Sequence, residues 1–403
     1  MKKFEKAIPI LFLGILIFGI VQSSQNNFIV VNQLVQKSMG QIILVFAMLL
    51  PITMGVGINF SIIVGAMAGQ LGAILSLNMG LDGGISVFVG LLIATCIALI
   101  IGFPVAYCMK RAEKNAVLLS LFIAYFTNGL YQVLTLNMFG TIIRVHREDL
   151  LLQSGSGLRN TIALEGFKYL AQINILIVLA LFFFCSLMIK LYKSKDKIHN
   201  YNTESGMAFR SRQLRPFIKE IIYLLLTLFL LWGPLPQDLT MFRRIQVSIV
   251  PVILSLIVYI IVRFVQSRFK GIEDKRDQTS YMRYKTIIVI MTSIVLASWG
   301  QLMNIQSAGS FTTYGSHLGV ANMALLALII GGAKLDTAQS KHVLIGCFLL
   351  QGFTLVWPEI SAALLGDFLS IEPLRTLIIN GLIIYALVVD KGRKGQNTKT
   401  DIS

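Results

Sequence analysis

The sequence predicts an all-α polytopic membrane protein with about 10 to 12 transmembrane helices. Three observations predict it. Apolar stretches long enough to cross a bilayer recur along all 403 residues. Charged residues make up 13% of the chain and hydrophobic residues 55%, whereas soluble domains carry roughly 25% charged residues; mean hydropathy is +0.75. The basic residues behind the net charge of +16 gather in short loops between the apolar stretches. That placement is how a membrane protein fixes orientation, so no nucleic-acid partner is expected, and membrane lipid is.

In chain order the expected spans are 7–23, 38–54, 59–77, 85–108, 115–137, 169–189, 220–235, 245–263, 286–303, 318–333, 342–358 and 373–390. The first follows Met1-Lys2-Lys3-Phe4 and resembles a signal peptide. Val21-Gln22-Ser23 lacks the small residue wanted at the outer cleavage position, so it reads as a retained helix. The second and third are joined by Gly55-Val56-Gly57-Ile58-Asn59-Phe60-Ser61, a tight turn in which glycine permits the reversal. The third span then carries Gly65, Ala66, Ala68, Gly69, Gly72 and Ala73, small residues that let helices approach closely. The fifth holds a polar patch, Tyr125, Thr127, Asn128 and Gly129. The seventh is short and ends at Trp232-Gly233-Pro234, as a tilted helix or a half-helix does. The tenth ends at Gly331-Gly332, a second glycine turn, leading to the helix that contains Gly346. Two similar Gly-turn helix pairs result.

With the N-terminus inside, the inner segments hold most of the Lys and Arg, and the outer ones hold only Lys37, Arg144, Arg147, Arg159, Lys168, Arg243, Arg244 and Arg375. The excess predicts cytoplasmic termini. The chain reads as one transmembrane domain, 1–403, with two notable cytoplasmic loops. Loop 190–219 is long, polar and basic. Loop 267–285 mixes both charge signs with aromatic residues, which suits a short surface helix docking on a partner; a solvated loop that only fixes topology has the same composition.

No expected span carries an ionisable side chain near its middle. A charge at the bilayer centre costs about 3 kcal/mol or more and is retained for ion or proton work, so a neutral or zwitterionic solute and an outside energy source are expected. No G-x-x-x-x-G-K-[ST], G-x-S-x-G, H-E-x-x-H or CxxC pattern occurs. No catalytic residue, metal ligand or cofactor of the chain's own is expected. Cys96, Cys108, Cys185 and Cys347 read as small apolar residues. For the solute path the candidates are Asn59, Phe60, Ser61, Tyr125 and Asn128: uncharged hydrogen-bonding groups beside aromatic rings. Hydrogen bonding between helices explains the same polar residues at about 1 kcal/mol each.

Several pieces together resemble a known family. Tyr314-Gly315-Ser316-His317-Leu318, the run Ala324 to Gly332, Val343-Leu344-Ile345-Gly346 and the stretch Leu377 to Lys391 resemble the end of permease subunits of ABC importers of the ribose and branched-chain amino-acid type. Gly57-Ile58-Asn59-Phe60-Ser61 stands where that family has a Gly-Ile-Asp-Leu-Ser-type turn, with Asn59 replacing the acid, and Asn128-Gly129 falls in its fifth-helix region. The resemblance covers roughly 35–145 and 230–393 and marks a divergent member, with no clear counterpart for 146–230. It implies a bacterial plasma-membrane subunit that moves a small polar solute such as a sugar or nucleoside. Its implied partners are a separate ABC ATPase that binds the ATP, an extracellular solute-binding protein, and a second permease copy or homologue. It also implies coupling to the ATPase through 267–285, where Glu273, Asp274, Lys275, Arg276 and Tyr281 are the candidates, and it assigns Gly57, Gly331 and Gly332 to tight turns.

Two other classes compete. Loop 190–219 falls midway through twelve spans, as in a secondary carrier of the major facilitator type. Against that, the turn Met54 to Ile58 has no basic residue and the spans lack central carboxylates. A membrane-embedded enzyme or flippase-like scaffold would need a charged cavity, and the sequence offers only Arg144, Arg147, Glu148 and Asp149 in an outer loop.

Overall fold

The computed structural model describes residues 2–22, 27–112, 115–164, 167, 170, 172–199, 221–232, 245–269, 278–333, 338–365, 373–378, 380, 381 and 384. It is a largely helical, polytopic protein, and among the described residues six helices are long and apolar enough to cross a membrane. These are α2 (Asn27–Thr53), α4 (Gly83–Ala112), α5 (Ala116–Val133, continued by a π-turn over Leu134–Met138), α8 (Ile249–Phe269), α9 (Gln278–Ala308) and α11 (Ser340–Leu365). Shorter apolar stretches lie on α1 (Lys2–Gln22), α3 (Ile62–Asn78), α6 (Ile175–His199), α7 (Ile221–Trp232) and α10 (Val320–Ile330). Four short strands complete the described elements: β1 (Thr161–Ala163), β2 (Gln172–Asn174), β3 (Gln246–Ser248) and β4 (Ser310–Thr312). The chain divides into two compact units, one of 1–25, 33–170 and 250–403, the other of 26–32 and 171–249.

The first unit is built around α3, which packs against α4 and α9 while those two pack on each other. Nearly every residue of α3 is buried, as expected of a helix apolar on all sides. Its glycines permit this. A β-carbon at Gly65 would stand 2.2 Å from the Ile294 carbonyl oxygen, and one at Gly69 2.4 Å from that of Ser298, so α3 and α9 touch backbone to backbone. Trp299 Nε1 donates to Thr95 Oγ1 at 2.7 Å and ties α9 to α4. Phe88, Leu92, Phe103, Phe122 and Phe126 on α4 and α5 stay exposed, the outward apolar face that hydrocarbon covers.

Both glycine turns form. Gly57 and Gly332 adopt the left-handed conformation, with φ of 97° and 82°. Gly331 does not; a β-carbon there would meet the His342 carbonyl oxygen at 2.1 Å, so close approach of α10 and α11 is what requires glycine. At the opposite end, Asn78 closes α3 by donating from Nδ2 to the Arg144 carbonyl at 3.0 Å and accepting from the His146 N–H at 2.7 Å. β1 pairs antiparallel with β4 in the register Thr161↔Thr312. Thr313 and Tyr314 donate to the Arg159 and Leu158 carbonyls, each at 2.6 Å. This cap carries the exposed Arg147–Asp149 pair at 2.7 Å, whose hydrogen bonds from Arg147 hold the Asp149 carboxyl below its usual range.

In the second unit β2 pairs antiparallel with β3, with Ile173 opposite Val247. The Asn174 side chain accepts the Leu176 N–H at 2.8 Å and starts α6. Phe183 of α6 stacks on Tyr223 of α7 with ring centroids 5.3 Å apart.

One span and one loop depart from the sequence reading. Expected span 318–333 is the helix α10 of 11 residues, about 16 Å long at 1.5 Å per residue and half of a bilayer core of about 30 Å. Loop 190–219 begins as helix, since α6 runs to His199; the rest of it lies outside the described residues.

Candidate functional site

α10 is short because the chain enters the bundle before the helix begins. After β4, residues 313–319 form turns and not helix, yet His317 has no solvent exposure. Non-helical backbone at membrane depth persists only where protein buries it or a cavity meets it. Its depth follows from its partner. Gln70 stands midway along α3, about 12 Å from either end, and Gln70 Oε1 lies 3.0 Å from His317 Nδ1. His317 therefore sits level with the middle of α3.

Two helices, α3 and α5, converge on this ring. Asn128 Oδ1 of α5 lies 2.7 Å from His317 Nε2. Tyr131, one turn on, donates its hydroxyl to Gln70 Oε1 at 3.0 Å and lays its ring 4.9 Å from the imidazole. Gln70 Nε2 donates to Ser316 Oγ. A neutral imidazole has one N–H, so both nitrogens cannot donate. Nδ1–H to Gln70, with the Asn128 amide turned to donate to Nε2, satisfies the set while leaving Gln70 with both hydroxyl partners. The cluster is uncharged, with amides, hydroxyls and an imidazole, and it suits hydrogen bonding to a neutral polar molecule.

A second polar cluster lies at the start of α3. Asn59 Oδ1 accepts from the Ser61 N–H at 3.0 Å and from Ser61 Oγ at 2.5 Å. Asn59 Nδ2 donates to Ser293 Oγ at 3.2 Å, which donates to the Ala47 carbonyl at 2.7 Å. Asn59 and Ser61 are fully buried, and their bonds start α3 and hold it to α2 and α9. The Phe60 N–H donates to Ser120 Oγ at 3.1 Å.

The expected path residues are thus divided. Asn128 joins the central cluster. Asn59, Phe60 and Ser61 belong to the terminal one. Tyr125 is 62% exposed on the outward face of α5. Glu273, Asp274, Lys275 and Arg276 lie outside the described residues, and Tyr281 falls in the first turn of α9. Sequence reasoning missed Gln70, Tyr131, Ser316 and His317 as a set; His317 lies one residue before the expected span 318–333, so no expected span contains it. The signal was present in Gln70, an amide in the middle of a Gly- and Ala-rich span.

More amides share this level. A β-carbon at Gly69 would stand 3.2 Å from Gln301 Cβ, which sets Gln301 of α9 beside the Gly69–Gln70 turn of α3. Gly300 packs on Leu44 and Gly40 on Asn304, which brackets Gln41 of α2 at the same height. Gln351 Nε2 of α11 donates to Gln41 Oε1. Gln301 is fully buried, and among the described residues neither Nε2 nor Oε1 has a hydrogen-bond partner; each such buried group costs about 1–3 kcal/mol.

No family model, curated protein or solved structure matches this chain. The polytopic helical architecture is that of a membrane protein and is consistent with a transporter in general.

Proposed function

We propose that this chain is the membrane-spanning permease subunit of an ATP-driven importer for a small neutral polar solute, a sugar or a nucleoside. The observation that carries the reading is the 11-residue helix α10, which begins level with the middle of α3 beside an uncharged cluster of Gln70, Asn128, Tyr131, Ser316 and His317. Transporters build solute sites from such interrupted helices, since the freed backbone and its polar neighbours can be satisfied by cargo. The cluster lacks carboxylates and lysines, which favours an energy source outside the chain over an ion gradient. ATP hydrolysis belongs to a separate ATPase docked on the cytoplasmic loops, with 267–285 as the coupling segment. A solute-binding protein delivers cargo outside, and a second copy or homologous permease completes the pathway. The setting is a bacterial plasma membrane with both termini cytoplasmic.

The test is purification from the native membrane in mild detergent, with mass spectrometry of what accompanies the chain. A stoichiometric ATPase carrying a phosphate-cradling loop is the expected result. A chain that purifies alone while solute uptake follows an ion gradient would replace this reading with a secondary carrier.

A further inference from the structure

We propose that Gln301 is a solute-contacting residue whose side-chain amide meets the hydrogen-bonding edge of the cargo at the middle of the bundle. The inference rests on the permease reading above and adds to it a recognition group and a shape of ligand edge.

At this level Gln70 is occupied on both atoms, by Tyr131 and His317 on Oε1 and by Ser316 on Nε2. Gln41 is taken by Gln351, and Asn128 by His317. Ser298, one turn before Gln301, donates to the Val295 carbonyl at 2.8 Å. Among the described residues Gln301 is the buried amide left with neither oxygen nor nitrogen satisfied. Native interiors pair nearly all such groups, so an amide left without a partner in the chain has hydrogen-bonding capacity for one from outside it.

The chemistry of the missing partner follows from the amide. Oε1 accepts and Nε2 donates side by side, so the complement is an edge carrying a donor next to an acceptor: a lactam N–H and C=O, or two neighbouring hydroxyls. The amides, hydroxyls and imidazole at this level offer no charge to a carboxylate, phosphate or ammonium. Gln301 stands on the seam where Gly65 and Gly69 bring α3 onto α9.

The experiment is thermal unfolding of the purified full-length protein with uridine, which carries the lactam edge, or with ribose, which carries the diol alone. Wild type and Gln301→Met, of similar length without amide bonding, are compared. The expected result is that one probe raises the wild-type Tm by about 2–4 °C at saturating concentration. Gln301→Met, without probe, melts at or above the wild type and needs at least about tenfold more probe for the same shift. A shift with uridine alone assigns the lactam edge, and a shift with ribose the diol. The proposal is overturned if Gln301→Met keeps the wild-type response, if it melts well below wild type without probe, or if neither probe shifts the wild type. ATPase co-purification judges the permease reading independently, so a negative result here with the ATPase attached removes Gln301 alone.

Discussion

Two polar clusters on the same helix do different work. At the start of α3, Asn59, Ser61 and Ser293 satisfy one another, the Ser61 N–H that precedes the helix and the Ala47 carbonyl of α2. At its middle, Gln70 has no free backbone to serve and is met by a ring that the chain carries in from outside, at the expense of half of a transmembrane helix. The difference teaches that position along a membrane helix sorts polar residues. At a terminus a polar side chain replaces a lost backbone bond. At mid-helix every backbone group is already paired, so a polar side chain needs a tertiary partner or a ligand.

The comparison breaks first at the scaffold both clusters share. Gly65→Val drives side-chain atoms into the Ile294 backbone, where even a β-carbon would stand 2.2 Å from oxygen. It is expected to cost about 3 kcal/mol or more, read as loss of monodisperse protein in detergent. Next comes His317→Ala, which leaves the Gln70 and Asn128 amides short of a partner. About 2–3 kcal/mol of stability and at least about tenfold in uptake at matched protein level are expected to go. Asn59→Ala removes a helix-starting bond and is expected to cost about 1 kcal/mol, with uptake per folded protein within about twofold of wild type. Equal uptake defects in His317→Ala and Asn59→Ala would erase the distinction. The smallest change sharpens the background: Asp149→Asn breaks an exposed ion pair and is expected to move stability by less than about 0.5 kcal/mol.

What the sequence made legible follows from local rules. The glycine turn at Gly57 and the close-packed third span could be read because the requirement for glycine and for small residues is local in the chain. The site was only half legible. Asn128 stood out as an amide in an apolar span. His317 did not, because hydropathy put the span boundary at 318, one residue beyond it. The length of α10 was hidden for the same reason, since an apolar run looks alike whether it crosses half a membrane or all of it. The pairing of β1 with β4 holds the incoming turn in place through Thr313 and Tyr314. Those partners lie more than 150 residues apart, and nothing in either segment announces the other.

The central claim is that solute passes the middle of α3 and not its start. The direct measurement is thiol accessibility in intact cells, in a background with Cys96, Cys108, Cys185 and Cys347 replaced by Ala. Asn128→Cys, Ser316→Cys and Ser61→Cys are each exposed to a membrane-impermeant charged thiol reagent from outside. The account predicts that Asn128→Cys and Ser316→Cys, at half-buried positions of the central cluster, react while Ser61→Cys stays unmodified. Modification of Ser61→Cys with Asn128→Cys and Ser316→Cys inert would contradict it.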